Sequence, residues 1–398
     1  MNNRRRWEYV ELAGLFFLQW MALGIWFVPL GGVLDAHGLH AIKAYAFAAS
    51  AVAAFVSPLI FGAMADRHAA PVKVLRGLTI ATAAAMTLAT FSIQHGWPPG
   101  VVLLLIQLLA FCAAPALNIT TTIVLARLEN PKRQFGPLRA MATFGWMCGC
   151  WLVSALHADT STLAGYTAAA TWLVLAAFTF ALPSVPPPES TGHTTWHERL
   201  GWDALVLLKN RDHRVVFITA ALFNIPLAAF FPFTPAHLQQ LGFHRTSAWM
   251  SLGQITEVIA MLALAGLFLR VRLKWIFAAG LGFGLLRYAL CAMDGKAWLL
   301  VGITLHGFSY TLYFIPAQLY LEERIDPAWR ARAQALFALM TGGVGNLIGY
   351  LGTGWWFAAC TENTFTRWPI FWGGLAATVG GVMIYFLTAY RGRGTRQD

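Results

Sequence analysis

Gln254 and Glu257 stand three residues apart in SAWMSLGQITEVIAMLALAGLFLR (247–270), a stretch otherwise long and apolar enough to cross a bilayer. That spacing puts the amide and the carboxyl on one helical face. A carboxylate at bilayer depth costs about 2.5–3.5 kcal/mol on insertion scales, so such a group faces a cavity or a partner and marks a solute or proton path. A buried acid paired only for structure is the alternative.

Arg139, Thr143 and Trp146 follow the same logic: spacings of four and then three align a cation, a hydroxyl and an aromatic plate on one face. Such a stripe suits a polar ring-shaped ligand, stacked on the plate and fixed at its edge. Snorkelling of Arg139 to the membrane surface is the competing reading. His306 and Tyr310 lie in another apolar run, His306 at about the depth of Glu257, so His306 is a candidate for proton coupling beside Glu257. Satisfaction of the imidazole by a neighbouring carbonyl is the alternative. Asn224, Gln19 and Asn118 are further amides inside apolar runs and candidates for a cavity wall. Thr120, Thr121 and Thr122 are expected to bond back into their own helix, and Arg287 to snorkel or pair structurally.

The elements that position these groups follow from composition. Of 398 residues, 58% are hydrophobic and 11% charged, and the mean hydropathy is +0.59, far from soluble proteins. Apolar runs predict an all-α polytopic membrane protein with 12 transmembrane helices, near 9–34, 41–65, 74–94, 99–126, 135–157, 163–183, 214–236, 247–269, 273–293, 297–321, 331–358 and 368–390. A polar break with Pro186, Pro187 and Pro188, ending in the amphipathic piece WDALVLLKN from Trp202, divides the chain into residues 1–184, a linker 185–213 and residues 214–398.

The net charge of +11 is topological. Of 28 Lys and Arg, 22 lie in the two tails and alternate loops, and only Lys43, Arg245, Lys296 and Arg367 fall in the others. Positive-inside bias therefore puts both termini in the cytoplasm, as in a bacterial inner membrane, and argues against nucleic acid as a partner. The lipid bilayer is the expected surrounding, and a monomer is expected. Neither HExxH nor GxSxG occurs, so an enzyme is not expected, nor a cofactor or metal.

Gly62, Asp66 and Arg67 fall between the second and third spans and resemble the G-x-x-x-D-R loop signature of the major facilitator superfamily, whose fold is two six-helix bundles. The stretches GPLRAMATFGW, GWDALVLLKN, SLGQITEVIA, GLLRYAL and DPAWRARAQALFALMTGGVG resemble, in order, the nucleoside:proton symporter family within it. The resemblance implies a substrate site containing Arg139, Thr143 and Trp146, the last in place of a phenylalanine, together with Gln254 and a functionally central Glu257. It also exposes departures. Thr311 stands where an acid is expected, His306 where a tyrosine is expected, and Ala228 and Phe231 where amides would contact substrate, with Asn224 one turn away.

The expectation is a proton-coupled nucleoside importer working by alternating access. Glu257 would carry the proton, and Trp146 and Tyr310 would stack on the base. A carrier of another polar solute, such as a sugar derivative or organic anion, and a non-transporting receptor are the competing readings.

Overall fold

A computed structural model describes residues 3–66, 70–128, 131–182, 200–362 and 365–392. Arg67 lies outside them, and with it the Gly62–Asp66–Arg67 signature as a unit. So does 183–199, most of the expected linker.

The chain is helical nearly throughout. In order it forms α1 (Asn3–Phe27), α2 (Leu30–Ala36), α3 (Lys43–Asp66), α4 (Pro71–Gln94), α5 (Pro99–Arg127), α6 (Pro131–Ala155) and α7 (Leu163–Phe178). Then come α8 (Arg211–Leu227), α9 (Phe230–Gln240), α10 (Thr246–Met250), α11 (Leu252–Arg270), α12 (Leu273–Cys291) and α13 (Lys296–Arg324). The last are α14 (Arg330–Ala338), α15 (Asn346–Cys360) and α16 (Trp368–Ala389). Among the described residues, 10 spans are long and apolar enough to cross a membrane, and α7 is a shorter apolar helix.

Proline and glycine explain the breaks in the expected spans. Pro29 and Pro232 lack the N–H that would continue the helix, and the chain breaks between α1 and α2 and between α8 and α9. The eleventh expected span is interrupted by a π-helix, Leu339–Gly345, where Gly342, Gly343 and Gly345 sit. The widened turn shifts the hydrogen-bond ladder, a feature frequent at functional sites. The end of the linker, Trp202–Lys209, is 3-10 helix rather than α-helix.

The chain divides into two compact units. In the first, Met1–Thr194 with His244–Ser251, the main seam joins α1 to α6. A Cβ added to Gly145 would lie 2.2 Å from the Phe17 carbonyl oxygen, one on Gly149 2.5 Å from that of Met21, and one on Gly24 2.6 Å from that of Trp146. Glycine is what lets these backbones touch. Also within this unit, Asp159 accepts from the Ser247 backbone N–H at 2.7 Å, and Trp151 Nε1 donates to Ser251 Oγ at 2.9 Å.

In the second unit, Thr195–Phe243 with Leu252–Asp398, α13 packs against both α11 and α12. Glycines again set the distance. A Cβ on Gly307 would lie 2.1 Å from the Glu257 backbone nitrogen, and one on Gly302 2.5 Å from Cys291 Sγ. A two-residue antiparallel ladder, β1 (Thr361–Glu362) with β2 (Phe365–Thr366), precedes α16.

Candidate functional site

In the first unit, α6 presents Arg139, Thr143 and Trp146 as the spacing predicted, with Arg139 and Trp146 half-buried and Thr143 buried. The Arg139 guanidinium sits over an aromatic ring. Its carbon lies 4.4 Å from the Trp20 ring centroid, a cation–π distance. Trp20 also stands 6.0 Å from Trp146, which is 6.1 Å from Phe27. The glycine seam between α1 and α6 brings Trp20 here. Spacing within α6 cannot announce the Trp20 contact, because it joins two helices distant in the chain.

The two expected cavity amides of this unit differ, Gln19 being buried and Asn118 exposed. Gln19 is 0% exposed, packed rather than on an open wall, and among the described residues neither end of its amide has a hydrogen-bond partner. Asn118 donates to Ser57 Oγ at 3.0 Å, tying α5 to α3. Thr121 and Thr122 donate back to Leu117 and Asn118 carbonyls as expected, whereas Thr120 has no partner among the described residues.

In the second unit, the α11–α13 crossing is built from Gly253 and Gly307. Thr256 donates to the Thr304 carbonyl across it at 2.5 Å, and Gly253 faces the His306 ring, whose Cδ2 would lie 3.3 Å from an added Cβ. The Gln254–Glu257 turn and His306 are therefore neighbours, at one depth. Gln254 is buried, with Oε1 lacking a partner among the described residues, and Glu257 is half-buried.

His306 is pinned on several sides. Phe230 stacks on it at 3.9 Å and 16°, Phe231 meets it edge-on at 6.2 Å, and Tyr310 lies 6.2 Å away along α13. Arg287, expected to snorkel or pair, is 1% exposed and donates from Nη1 to His306 Nδ1 at 2.5 Å.

A cavity of about 340 Å³ opens beside these groups, lined by Asn224, His306, Tyr310, Phe231, Gln318 and Asn346 among others. That volume is at the lower end of small-molecule sites. Gln254 and Glu257 do not line it. Its wall mixes aromatic rings with amide and hydroxyl groups, but Asn224 is already engaged. Its Nδ2 donates to the Thr341 carbonyl at 2.8 Å and to Asn346 Oδ1 at 2.5 Å. The π-helix of 339–345 turns the Thr341 carbonyl towards α8, and Asn224 satisfies it. Ala228 and Phe231, at the positions where the resemblance implies amides, both line the cavity. Thr311 is fully buried.

Known proteins similar to this chain identify its family. The nucleoside H+ symporter family model matches residues 9–394. YegT of Escherichia coli (strain K12) is 33% identical over 85% of this chain and 82% of its own. Nucleoside permease NupG of the same organism is 26% identical over 91% of each chain. The crystal structure of nucleoside transporter NupG superposes with a TM-score of 0.85 at 24% identity, covering 98% of this chain and all of that one. The fold is therefore that of the major facilitators, and the chain is a multi-pass membrane transporter rather than an enzyme. It belongs to the nucleoside H+ symporter family.

Proposed function

We propose that this protein imports nucleosides together with protons by alternating access, with Glu257 as the proton carrier. The observation that carries the reading is the α11–α13 crossing. It packs the backbone at Glu257 against Gly307, next in the chain to the cavity-lining His306, which supports an acid close enough to the solute site for proton and solute binding to be interdependent. Arg139, Thr143, Trp146 and Trp20 form a second aromatic and cationic surface suited to a ring-shaped polar solute. Gln254 supplies an amide beside the acid. The names of the relatives, nucleoside permease and xanthosine permease, support the substrate class.

The protein works as a monomer in a bacterial cytoplasmic membrane, with both termini inside, as the distribution of Lys and Arg argues. Lipid surrounds it, and nucleic acid has no part in its function.

One observation favours a second reading, a carrier of another small polar solute such as a sugar derivative or organic anion. Asn224 is spent on the backbone, and Ala228 and Phe231 offer the cavity no amide. Counterflow of radiolabelled uridine and adenosine into proteoliposomes, at several pH values, separates the two. Saturable exchange of either supports the nucleoside reading, and exchange of neither, with retained exchange of a sugar or anion, replaces it.

A further inference from the structure

Arg287 is the most buried cation among the described residues, and none of them gives it a carboxylate partner. A guanidinium at bilayer depth is expensive unless its donors are satisfied. Here its guanidinium carbon lies 4.6 Å from the ring centroids of both Phe230 and Tyr288, and among the described residues its one side-chain hydrogen bond goes to His306 Nδ1.

That bond decides the state of the imidazole. Arginine has five N–H donors and no acceptor. Nδ1 must therefore be the lone-pair nitrogen, which leaves the ring proton of His306 on Nε2. A second proton, on Nδ1, would break the bond and set two cations in contact. His306 is 93% buried, since its exposure is 7%. Its ring is held flat by Phe230 and backed by Gly253, yet it lines the cavity. A ring N–H held in one orientation on a cavity wall can donate to an acceptor oxygen of a ligand that enters the cavity.

We propose that Arg287 is a positioning residue that holds His306 in the neutral Nε2–H form, so that His306 donates a hydrogen bond to an acceptor oxygen of the transported solute and does not carry the coupled proton. This rests on the nucleoside-carrier reading for the nature of the solute, since carbonyl and hydroxyl oxygens are the acceptors a nucleoside offers. It separates two tasks on neighbouring helices. Glu257 on α11 takes the proton, and the α12–α13 pair reads the solute.

The test is made on the full-length protein in liposomes, with uridine and adenosine as probes. His306→Met, which removes the donor, should raise the half-saturating concentration about tenfold, the worth of one hydrogen bond in a buried site. His306→Gln, which keeps an N–H at similar reach, should recover most of that loss and still accumulate solute against its gradient when a proton gradient is imposed. Accumulation lost in His306→Gln with exchange intact would make His306 a proton carrier and overturn the proposal.

Arginine's role is read spectroscopically. In bilayers, with ring-¹⁵N histidine and His306→Gln as the subtraction, His306 should show a bare Nδ1 and a protonated Nε2. In Arg287→Met the signal should move towards a mixture of forms, and Arg287→Lys should restore it. A protonated Nδ1 in the wild type, or no change in Arg287→Met, would overturn it. If neither nucleoside exchanges in the wild type, the nucleoside reading falls, while the ¹⁵N signature still decides the pairing.

Discussion

The backbone nitrogen of Glu257 faces Gly307 so closely that a Cβ there would lie 2.1 Å from it, with the Gly253 carbonyl oxygen at 2.3 Å and Thr256 Oγ1 at 2.5 Å. No rotamer change can relieve a clash with backbone, so α11 and α13 would have to part. Gly307→Ala should therefore lower stability by about 1–3 kcal/mol, the range for overpacking, and reduce proton-driven uptake more than it reduces expression. Thermal unfolding in detergent and uptake per folded molecule check this. Wild-type uptake by the variant would mean that the crossing does not position the acid.

The α1–α6 seam makes a parallel case in the first unit. Gly145→Val places bulk 2.2 Å from the Phe17 carbonyl oxygen and should separate Trp20 from Arg139. Loss of fold is the expected main effect, measured as loss of monodisperse protein in size-exclusion chromatography. A well-folded variant of native melting temperature would count against the seam.

Arg139 tests the cation–π wall. Arg139→Ala should raise the half-saturating concentration, and Trp20→Leu should do so with the same sign, because the guanidinium is held over the Trp20 ring at a contact worth about 0.5–2 kcal/mol. Arg139→Lys should fall between them. A double variant no worse than either single one would show that the two act as a unit. Unchanged saturation in Trp20→Leu would remove Trp20 from the site.

Much of this could be read in the sequence, for identifiable reasons. The Gln254–Glu257 face and the Arg139–Thr143–Trp146 stripe depend on spacing within one helix, which helical geometry fixes. The α11–α13 neighbours could be anticipated only as a shared depth. What was not legible depends on partners from other helices. Arg287 could be read only as snorkelling or pairing structurally, because its acceptor is a histidine nitrogen on the next helix, 19 residues away. Asn224 looked like a solute ligand because its acceptor is the Thr341 carbonyl, in a π-turn that no periodicity announces. Gln19 looked like a cavity amide, and its complete burial is a matter of packing.

Asn224 therefore carries a prediction opposite to the one its residue type suggests. Asn224→Leu should destabilise the protein by about 1–3 kcal/mol by orphaning the Thr341 carbonyl, with a fall in melting temperature that saturating nucleoside does not correct preferentially over the wild type. A variant of native stability with weakened substrate affinity would return Asn224 to the solute-binding wall.

The central claim is that Glu257 carries the coupled proton, and purified Glu257→Gln in proteoliposomes tests it most directly. Uridine counterflow without a gradient and uridine accumulation under an imposed inward proton gradient are measured on the same vesicles. The account predicts that exchange persists while accumulation falls to the equilibrated level. Accumulation equal to the wild type would contradict it.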